Sequence, residues 1–325
     1  MKKVLLGLIL TTSLFIGFVE QAQSQNFPER PIKIIVSLAP GATNDLIARL
    51  LAQKMSDLMK SPIIVENKAG ANGTLAAAFV AKEVPDGHTL LLGNTSTLAI
   101  HASLFSNLSY DPNKDFQAIS VVAESPSVFV INASLPPKTM KEFIAYAKSK
   151  PSSIAYGSPG SGSPFHLSGE LLNTQTGIQM LHVPYKGASP ALVDLLGGQI
   201  QAMFDNIPNV LNQIKQGKLR ALCVTSNSRL AQLPDVPTIS ESGFSDAEST
   251  SFFALVAPKG TPAPVISNLN ARANEALKDN NLRNQFMELG AIPIGMSPQQ
   301  SSHYIELQAS KWSKVVKQSG AKADL

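Results

Sequence analysis

The chain has 325 residues, 44% of them hydrophobic and only 15% charged, with 22 prolines and 21 glycines scattered without period. This composition excludes a disordered chain, a collagen and a coiled coil, and the length gives a prior of two domains with room for a sizeable core. The formal net charge is +4, but the 27 lysines and arginines form no run, which argues against a nucleic-acid surface.

In chain order, residues 1–24 read as a secretory leader. Lys2 and Lys3 precede an apolar stretch from Val4 to Val19, and Ala22-Gln23-Ser24 offers the small residues of a cleavage site. The stretch falls short of the ~20 apolar residues a membrane span needs, so a cleaved and exported protein is expected. From residue 32 onward the pattern alternates. Short apolar runs predict strands at 32–37, 63–65, 89–92, 128–131, 154–156, 180–183, 200–204, 219–225 and 252–257. Between them, 3.6-residue stripes predict helices at 44–60, 74–82, 166–176 and 208–216, with three more near the end at 262–278, 281–289 and 298–319. Thr139-Met140-Lys141-Glu142 reads as a capping box opening a helix to residue 149, and Ser189-Pro190 as the N-cap and first-position proline of a helix to Leu196. Ser297 is the expected N-cap of the last helix.

Such alternation implies α/β architecture with mainly parallel sheets, whose ligands bind beyond the carboxyl ends of the strands. The loops there are 37–45, 93–97, 157–163, 184–189 and 205–209. They are rich in Gly, Ser, Thr, Asn and Pro and nearly free of charge. The first runs into a helix start, where free amides and the helix dipole favour an anion; Asp45 would sit in the first turn, as a ligand-side carboxylate or simply as a cap. The segment from Gly157 to Ser163 holds three glycines and three serines between a strand and a helix, and is expected to cradle a carboxylate or phosphate.

Other chemistries fail on spacing. There is no phosphate-loop lysine motif, no third glycine of a dinucleotide fingerprint (Phe165 stands there) and no G-x-S-x-G elbow. The five histidines show no metal-ligand spacing, and the single Cys223 lies in a buried-looking strand as an inert thiol. No metal and no cofactor is expected. His166, beside the glycine loop, reads as a pocket or capping residue, His182 as a packed one, and Asp205 as an acid at a strand end. Lys186 is the lone cation in the strongest loops.

Together these residues carry a resemblance. Phe27-Pro28-Glu29-Arg30-Pro31-Ile32, Ala39-Pro40-Gly41, Asp45-Leu46-Ile47-Ala48-Arg49, Pro85-Asp86-Gly87-His88-Thr89 and Tyr110-Asp111-Pro112 match, in order, the substrate-binding proteins of tripartite tricarboxylate transporters, also called the Bug family. Tyr156 through His166, His182-Val183-Pro184-Tyr185-Lys186-Gly187, Asp194-Leu195-Leu196-Gly197-Gly198, Phe204-Asp205-Asn206 and Leu233-Pro234-Asp235-Val236-Pro237-Thr238 continue the match over the whole mature chain. The resemblance implies a type II-like periplasmic binding protein. Each of its two domains would be a mixed, mainly parallel sheet flanked by helices, with the ligand cleft between them. The leader would be 1–24, the first domain 25–125 with 249–325, and the second 126–248.

It further implies a ligand held largely through main-chain groups. Leu38, Ala39, Gly41, Ala42, Asn44 and Asp45 would line one side with Thr95 and Ser96. Ser158, Gly160, Ser161, Ser163 and His166 would line the other, with Tyr185 and Asp205 nearby. The chain departs from the family pattern at Ala42, where a second glycine is usual and a methyl would penalise positive φ, and at Asn44, His88 and Ser96. The implied function is a monomeric periplasmic receptor, not an enzyme, that binds a small carboxylate (a dicarboxylate, tricarboxylate or aromatic acid) and delivers it to membrane permease subunits. The alternatives are a sensor subunit presenting its ligand to a membrane histidine kinase and an exported hydrolase using a loop serine.

Overall fold

The computed structural model describes residues 27–321; the leader expected at 1–24 lies outside them. Two sheets organise the chain. The first holds β1 (Ile32–Val36), β2 (Ile63–Asn67), β3 (Thr89–Asn94), β4 (Phe116–Ser125), β10 (Ser251–Pro258) and β11 (Ile292–Pro293), in the order β11-β4-β10-β3-β1-β2. The second holds β5 (Ser127–Asn132), β6 (Ala155–Ser158), β7 (Leu181–Pro184), β8 (Ala202–Asn206) and β9 (Leu219–Val224), in the order β7-β6-β8-β5-β9. The helices are α1 (Thr43–Met59), α2 (Thr74–Val80), α3 (His101–Leu104), α4 (Met140–Ser149), α5 (Pro164–Thr176), α6 (Ala188–Leu196), α7 (Ile207–Lys215), α8 (Ala263–Ala276), α9 (Asn280–Glu288) and α10 (Pro298–Ser319). The expected α/β architecture is present.

The two-residue period of the strands decides which helix covers which face. Ile34, Val36, Leu90, Leu92 and Leu255 turn to α1, α8 and α9, whereas Ile35, Leu91, Ala254 and Val256 turn to α2 and α10. In the second sheet Phe129, Ile131 and Phe204 face α4 and α5, and Val128, Val130 and Met203 face α6 and α7. One apolar cluster runs from the first sheet through α10 into the second and contains the single tryptophan, Trp312, fully buried.

The pairings are parallel where helices intervene (β1 with β2 and β3; β6 with β7 and β8) and antiparallel where the chain changes sheet. Pro126 alone separates β4 from β5. β4 pairs antiparallel with β10, and β5 with β8 and β9. The sheets are therefore mixed, with a larger antiparallel share than the alternation suggested.

The sequence did not signal β4, whose Ala118, Ser120 and Ala123 dilute the apolar run, nor the π-helical turn Ser96–Ile100 that follows β3. Ser189 is not an N-cap: Gly187 is, at φ 112°, and Ser189 and Pro190 fall inside the first turn of α6. At α4 the Thr139 hydroxyl accepts from Glu142 N (3.2 Å), but the Glu142 carboxylate accepts from Lys138 N rather than closing the box. The reciprocal box forms instead between Ser297 and Gln300 at α10.

Gly169 on α5 is where the second sheet's packing is tightest. A Cβ there would stand 2.2 Å from Tyr156 Cε2, and Tyr156 is fully buried with its hydroxyl donating to Glu170 Oε1 (2.6 Å). The ring has nowhere to go. Gly169→Ala is expected to cost about 1–3 kcal/mol, read as a lowered denaturant midpoint with unchanged slope.

Candidate functional site

A cleft of about 560 Å³ opens between the two sheets. Every parallel strand in this fold hands its chain to a helix at its carboxyl end, and four of those helices bring their N-termini to the cleft. They are α1 through Ala42, Thr43 and Asn44; α5 through Ser163 and Pro164; α6 through Gly187 and Ala188; and α7 through Asn206 and Asn209. The π-helical turn adds Thr95 and Ser96. Helix N-termini carry unpaired amides and the positive end of the dipole, so this wall is electropositive without a basic side chain.

The helix starts differ in what their amides already do. The N-cap residues of α1, α6 and α7 supply no side-chain cap, which leaves first-turn amides open to a ligand. Ahead of α5 several amides are occupied from within. Gly160 N donates to Ser158 Oγ (3.2 Å), Gly162 N to His166 Nδ1 (3.0 Å), Ser163 N to the Gly160 carbonyl (3.3 Å) and His166 N to Ser163 Oγ (3.2 Å). The glycine loop is thus a self-bonded wall. Gly162 also sits at φ 78°, with Leu104 where a Cβ would go (2.2 Å). The lining also carries an apolar set: Leu104, Phe105, Phe165, Phe252 and Phe253.

Of the residues singled out from sequence, Leu38, Gly41, Ala42, Asn44, Thr95, Ser96, Gly160, Ser161, Ser163 and Asp205 come together on the cleft. Ala39, Asp45, Ser158, His166 and Tyr185 do not line it. Asp45 turns back to clamp its own loop, accepting from Gly41 N (2.9 Å), Arg49 Nε (3.1 Å) and Asn67 Nδ2 (2.8 Å). Burial pushes its carboxyl up, but Arg49, the Gly41 amide and Asn67 outweigh that and hold it below the usual range. Tyr185 donates to Asp194 Oδ2 (2.7 Å). Lys186 is exposed and outside the lining. Ala42 has φ −68°, so its methyl strains nothing. His88 packs edge-on against Phe27, outside the cleft lining.

Behind the glycine loop, His166 and His182 stack 3.8 Å apart, and His182 Nε2 lies 2.7 Å from Ser158 Oγ. This Ser–His pair is no nucleophile: Ser158 is fully buried, and burial with the neighbouring His166 pushes His182 down to about 3, too weak for a base. His166 must carry its proton on Nε2, because Nδ1 accepts from Gly162. Burial lowers it to about 4. Cys223 is fully buried, and burial pushes its thiol up.

Sequence reasoning missed His101, on the cleft. The Tyr110 hydroxyl donates to the Thr97 carbonyl (2.7 Å), so its oxygen accepts from His101 Nδ1 (3.1 Å) and Nε2 is left as an acceptor. Burial lowers His101 to about 4. The apolar wall was missed as well. Phe252 and Phe253 come from β10, far along the chain, and no local signal marks them.

The sequence profile of the tripartite tricarboxylate transporter family receptor matches residues 47–321. Protein BugT of Bordetella pertussis is 37% identical over 318 residues, covering 98% of this chain and 97% of that protein. Among solved structures, Rpa4515 of R. palustris with adipate is 34% identical with a TM-score of 0.80, covering 91% of this chain and 99% of that one. MatC from Rhodopseudomonas palustris with bound malate is also 34% identical, with a TM-score of 0.74 and coverage of 89% and 100%.

The buried titratable groups give a test. His101, His166 and His182 bind a proton near pH 6.5 in the unfolded chain but only near 4, 4 and 3 when folded, so their contribution is whole above pH 6.5 and is lost as pH falls toward 4. Asp205 has the opposite sign. Burial pushes it up to about 6 against hydrogen bonds from Asn209 and Asn206, so its contribution is full below about 3.8 and is lost as pH rises through 6. The melting temperature is expected to fall between pH 6.5 and 4. Asp205→Asn should raise it more at pH 7.5 than at pH 4.5, as measured by melts across that range.

Proposed function

Because the chain belongs to the tripartite tricarboxylate transporter receptor family, we propose that it is a periplasmic receptor that binds a small carboxylate and passes it to the membrane permease subunits of such a transporter. The observation that carries this reading is the set of uncapped helix starts, α1, α6 and α7, meeting on a cleft with no lysine or arginine in its lining. Fixed amides on rigid elements bind an anion with little ordering cost on the protein side. A carboxylate also suits the site in size: two oxygens can share several amide donors, while the aliphatic body lies on Phe252, Phe253 and Leu104.

In this reading residues 25–125 with 249–325 act as one domain and 126–248 as the other, and the chain crosses between them at Pro126 and again between β9 and β10. Ligand would bridge the two and favour the closed arrangement. The residues proposed to touch it are Ala42, Thr43, Asn44, Thr95 and Ser96 from one side and Ser161, Gly187, Ala188 and Asn206 from the other. Asp45, Ser158, His166 and Tyr185 would hold the walls in shape. A monomer suffices for this cycle. The receptor would release its ligand unchanged.

Calorimetric titration with adipate and malate, against adipamide and malamide, tests the reading. The acids are expected to bind and the amides to fail. Ala188→Asp, which puts a competing carboxylate at the start of α6, is expected to weaken acid binding at least tenfold without lowering the melting temperature. Equal binding of acid and amide would refute a carboxylate site.

A further inference from the structure

Three histidines stand at or behind this cleft, and they differ in what a second proton would disturb. His166 accepts from Gly162 N at Nδ1 (3.0 Å), so a proton on that nitrogen breaks a bond that holds the glycine loop. His182 already uses Nε2 with Ser158 Oγ (2.7 Å) and stacks on His166, off the lining. His101 is different. It opens α3, lines the cleft and is 2% exposed. The Tyr110 hydroxyl gives its one hydrogen to the Thr97 carbonyl (2.7 Å), so toward His101 Nδ1 (3.1 Å) it can only accept. That fixes the imidazole hydrogen on Nδ1 and leaves the Nε2 lone pair without a hydrogen-bond partner among the described residues. A proton added at Nε2 keeps the Tyr110 bond, and the wall need not move to receive it. None of the motif stretches that carry the family resemblance includes His101.

The surroundings of the ring explain why it is neutral in the free protein. Burial alone holds it down to about 4, and no charged group acts against that. On its own helix it meets Phe105 edge-on (5.0 Å). Ahead of β4 it meets Tyr110, whose hydroxyl burial pushes up and so keeps protonated. The π-helical turn packed on α3 has no titratable side chain, and the glycine loop meets α3 at Leu104. On α10, which also packs on α3, the half-buried titratable side chains are Tyr304 and Lys311. Tyr304 donates to Glu124 Oε1 (2.6 Å) and Lys311 to the Glu248 carbonyl, and the other titratable groups of α10 are exposed. Asp205 is the one carboxylate in the lining. A bound carboxylate changes this balance. It is a negative charge in a largely dry space, and an opposite charge at contact favours the imidazolium. Nε2–H would then donate to it in a charge-assisted bond.

We propose that His101 couples ligand binding to a proton: when a carboxylate enters the cleft, Nε2 takes a proton from solvent and donates a hydrogen bond to a carboxylate oxygen, and the proton returns to solvent when the ligand leaves. This rests on the reading of the cleft as a carboxylate site and adds a regulation to it. The Tyr110–Thr97 pair acts on the ligand only through His101, by holding the tautomer whose free nitrogen faces no other partner. The sign follows from linkage. Binding takes up a proton, so the His101 contribution to affinity grows as pH falls from 7.5 toward 5.5 and fades as pH rises again. A receptor of this kind loads better in mildly acid surroundings.

The test starts with the unliganded protein. Ring-nitrogen NMR on residues 25–325 at pH 7.5, assigned through bonds, should show His101 with its hydrogen on Nδ1 and with Nε2 bare. Adding adipate or malate at pH 5.5 should move His101 to the imidazolium pattern and leave His88 and His303 as they were. Calorimetry at pH 5.5 in buffers of different ionisation heat counts the protons. His101→Gln cannot take one up there, so it should absorb at least about 0.2 proton per ligand fewer than the parent protein. Asp205→Asn removes the one lining carboxylate, and His101 should still become an imidazolium in it. Should His101→Gln not fold, the NMR of the unaltered protein decides. The proposal is overturned if unliganded His101 carries its hydrogen on Nε2, if bound ligand leaves its ring nitrogens unchanged, or if His101→Gln absorbs as many protons as the parent. If neither acid binds, the carboxylate reading falls and takes this one with it. If either binds while His101 stays neutral, the carboxylate reading stands and this one alone fails.

Discussion

Everything at this site follows from one constraint: a strand that leads into a helix delivers the helix N-terminus to the strand's carboxyl end. β1 leads to α1, β6 to α5, β7 to α6 and β8 to α7, and the two sheets turn these ends toward a common space. The positive potential of the cleft is therefore a property of the backbone. No flexible basic side chain has to be ordered to produce it. The loops accordingly hold small polar residues and few charges.

The same constraint explains why the two walls are built differently. At α1, α6 and α7 the amides are left open, while the glycine loop before α5 consumes its own donors and is backed by a layer of rings, Tyr156, His182 and His166. Stacked imidazoles kept neutral by burial act as flat, polar packing. Each satisfies a loop group on one edge and presents an uncharged face to the next ring. The loop gains rigidity from this arrangement, and the cleft gains a wall whose shape does not depend on a ligand.

How much of this was legible in the sequence depended on the range of the signal. The long amphipathic helices α1 and α10 were read to within a residue of their ends, because their periodicity, and at α10 the Ser297 cap, are local. Four of the loops that form the cleft were also legible, since each sits between a strand signal and a helix signal; the loop at 93–97 had the strand signal alone. The direction of individual side chains was not. Ser158, His166 and Asp45 have the residue types of ligand contacts, but their hydrogen bonds turn them into the walls. Whether Gly160 N faces a ligand or Ser158 is decided by a backbone twist at φ 140°, which no residue pattern encodes. The aromatic wall from β10 required knowing that a strand near residue 252 pairs between β3 and β4, a long-range fact.

That pairing also bears on the order in which the molecule can assemble. β10 lies between β3 and β4 in the first sheet, yet it follows every strand of the second sheet in the chain. Until residues 251–258 have emerged, β1, β2 and β3 have no bridge to β4, and the faces later covered by α8, α9 and α10 stay bare. The second sheet is drawn from one continuous stretch, β5 to β9, and needs no later strand. An N-terminal fragment ending between β9 and β10 would thus hold one finished sheet and one broken in two. A chain that emerges N-terminus first completes its middle before its beginning, and the site between the two sheets cannot close before β10 is made.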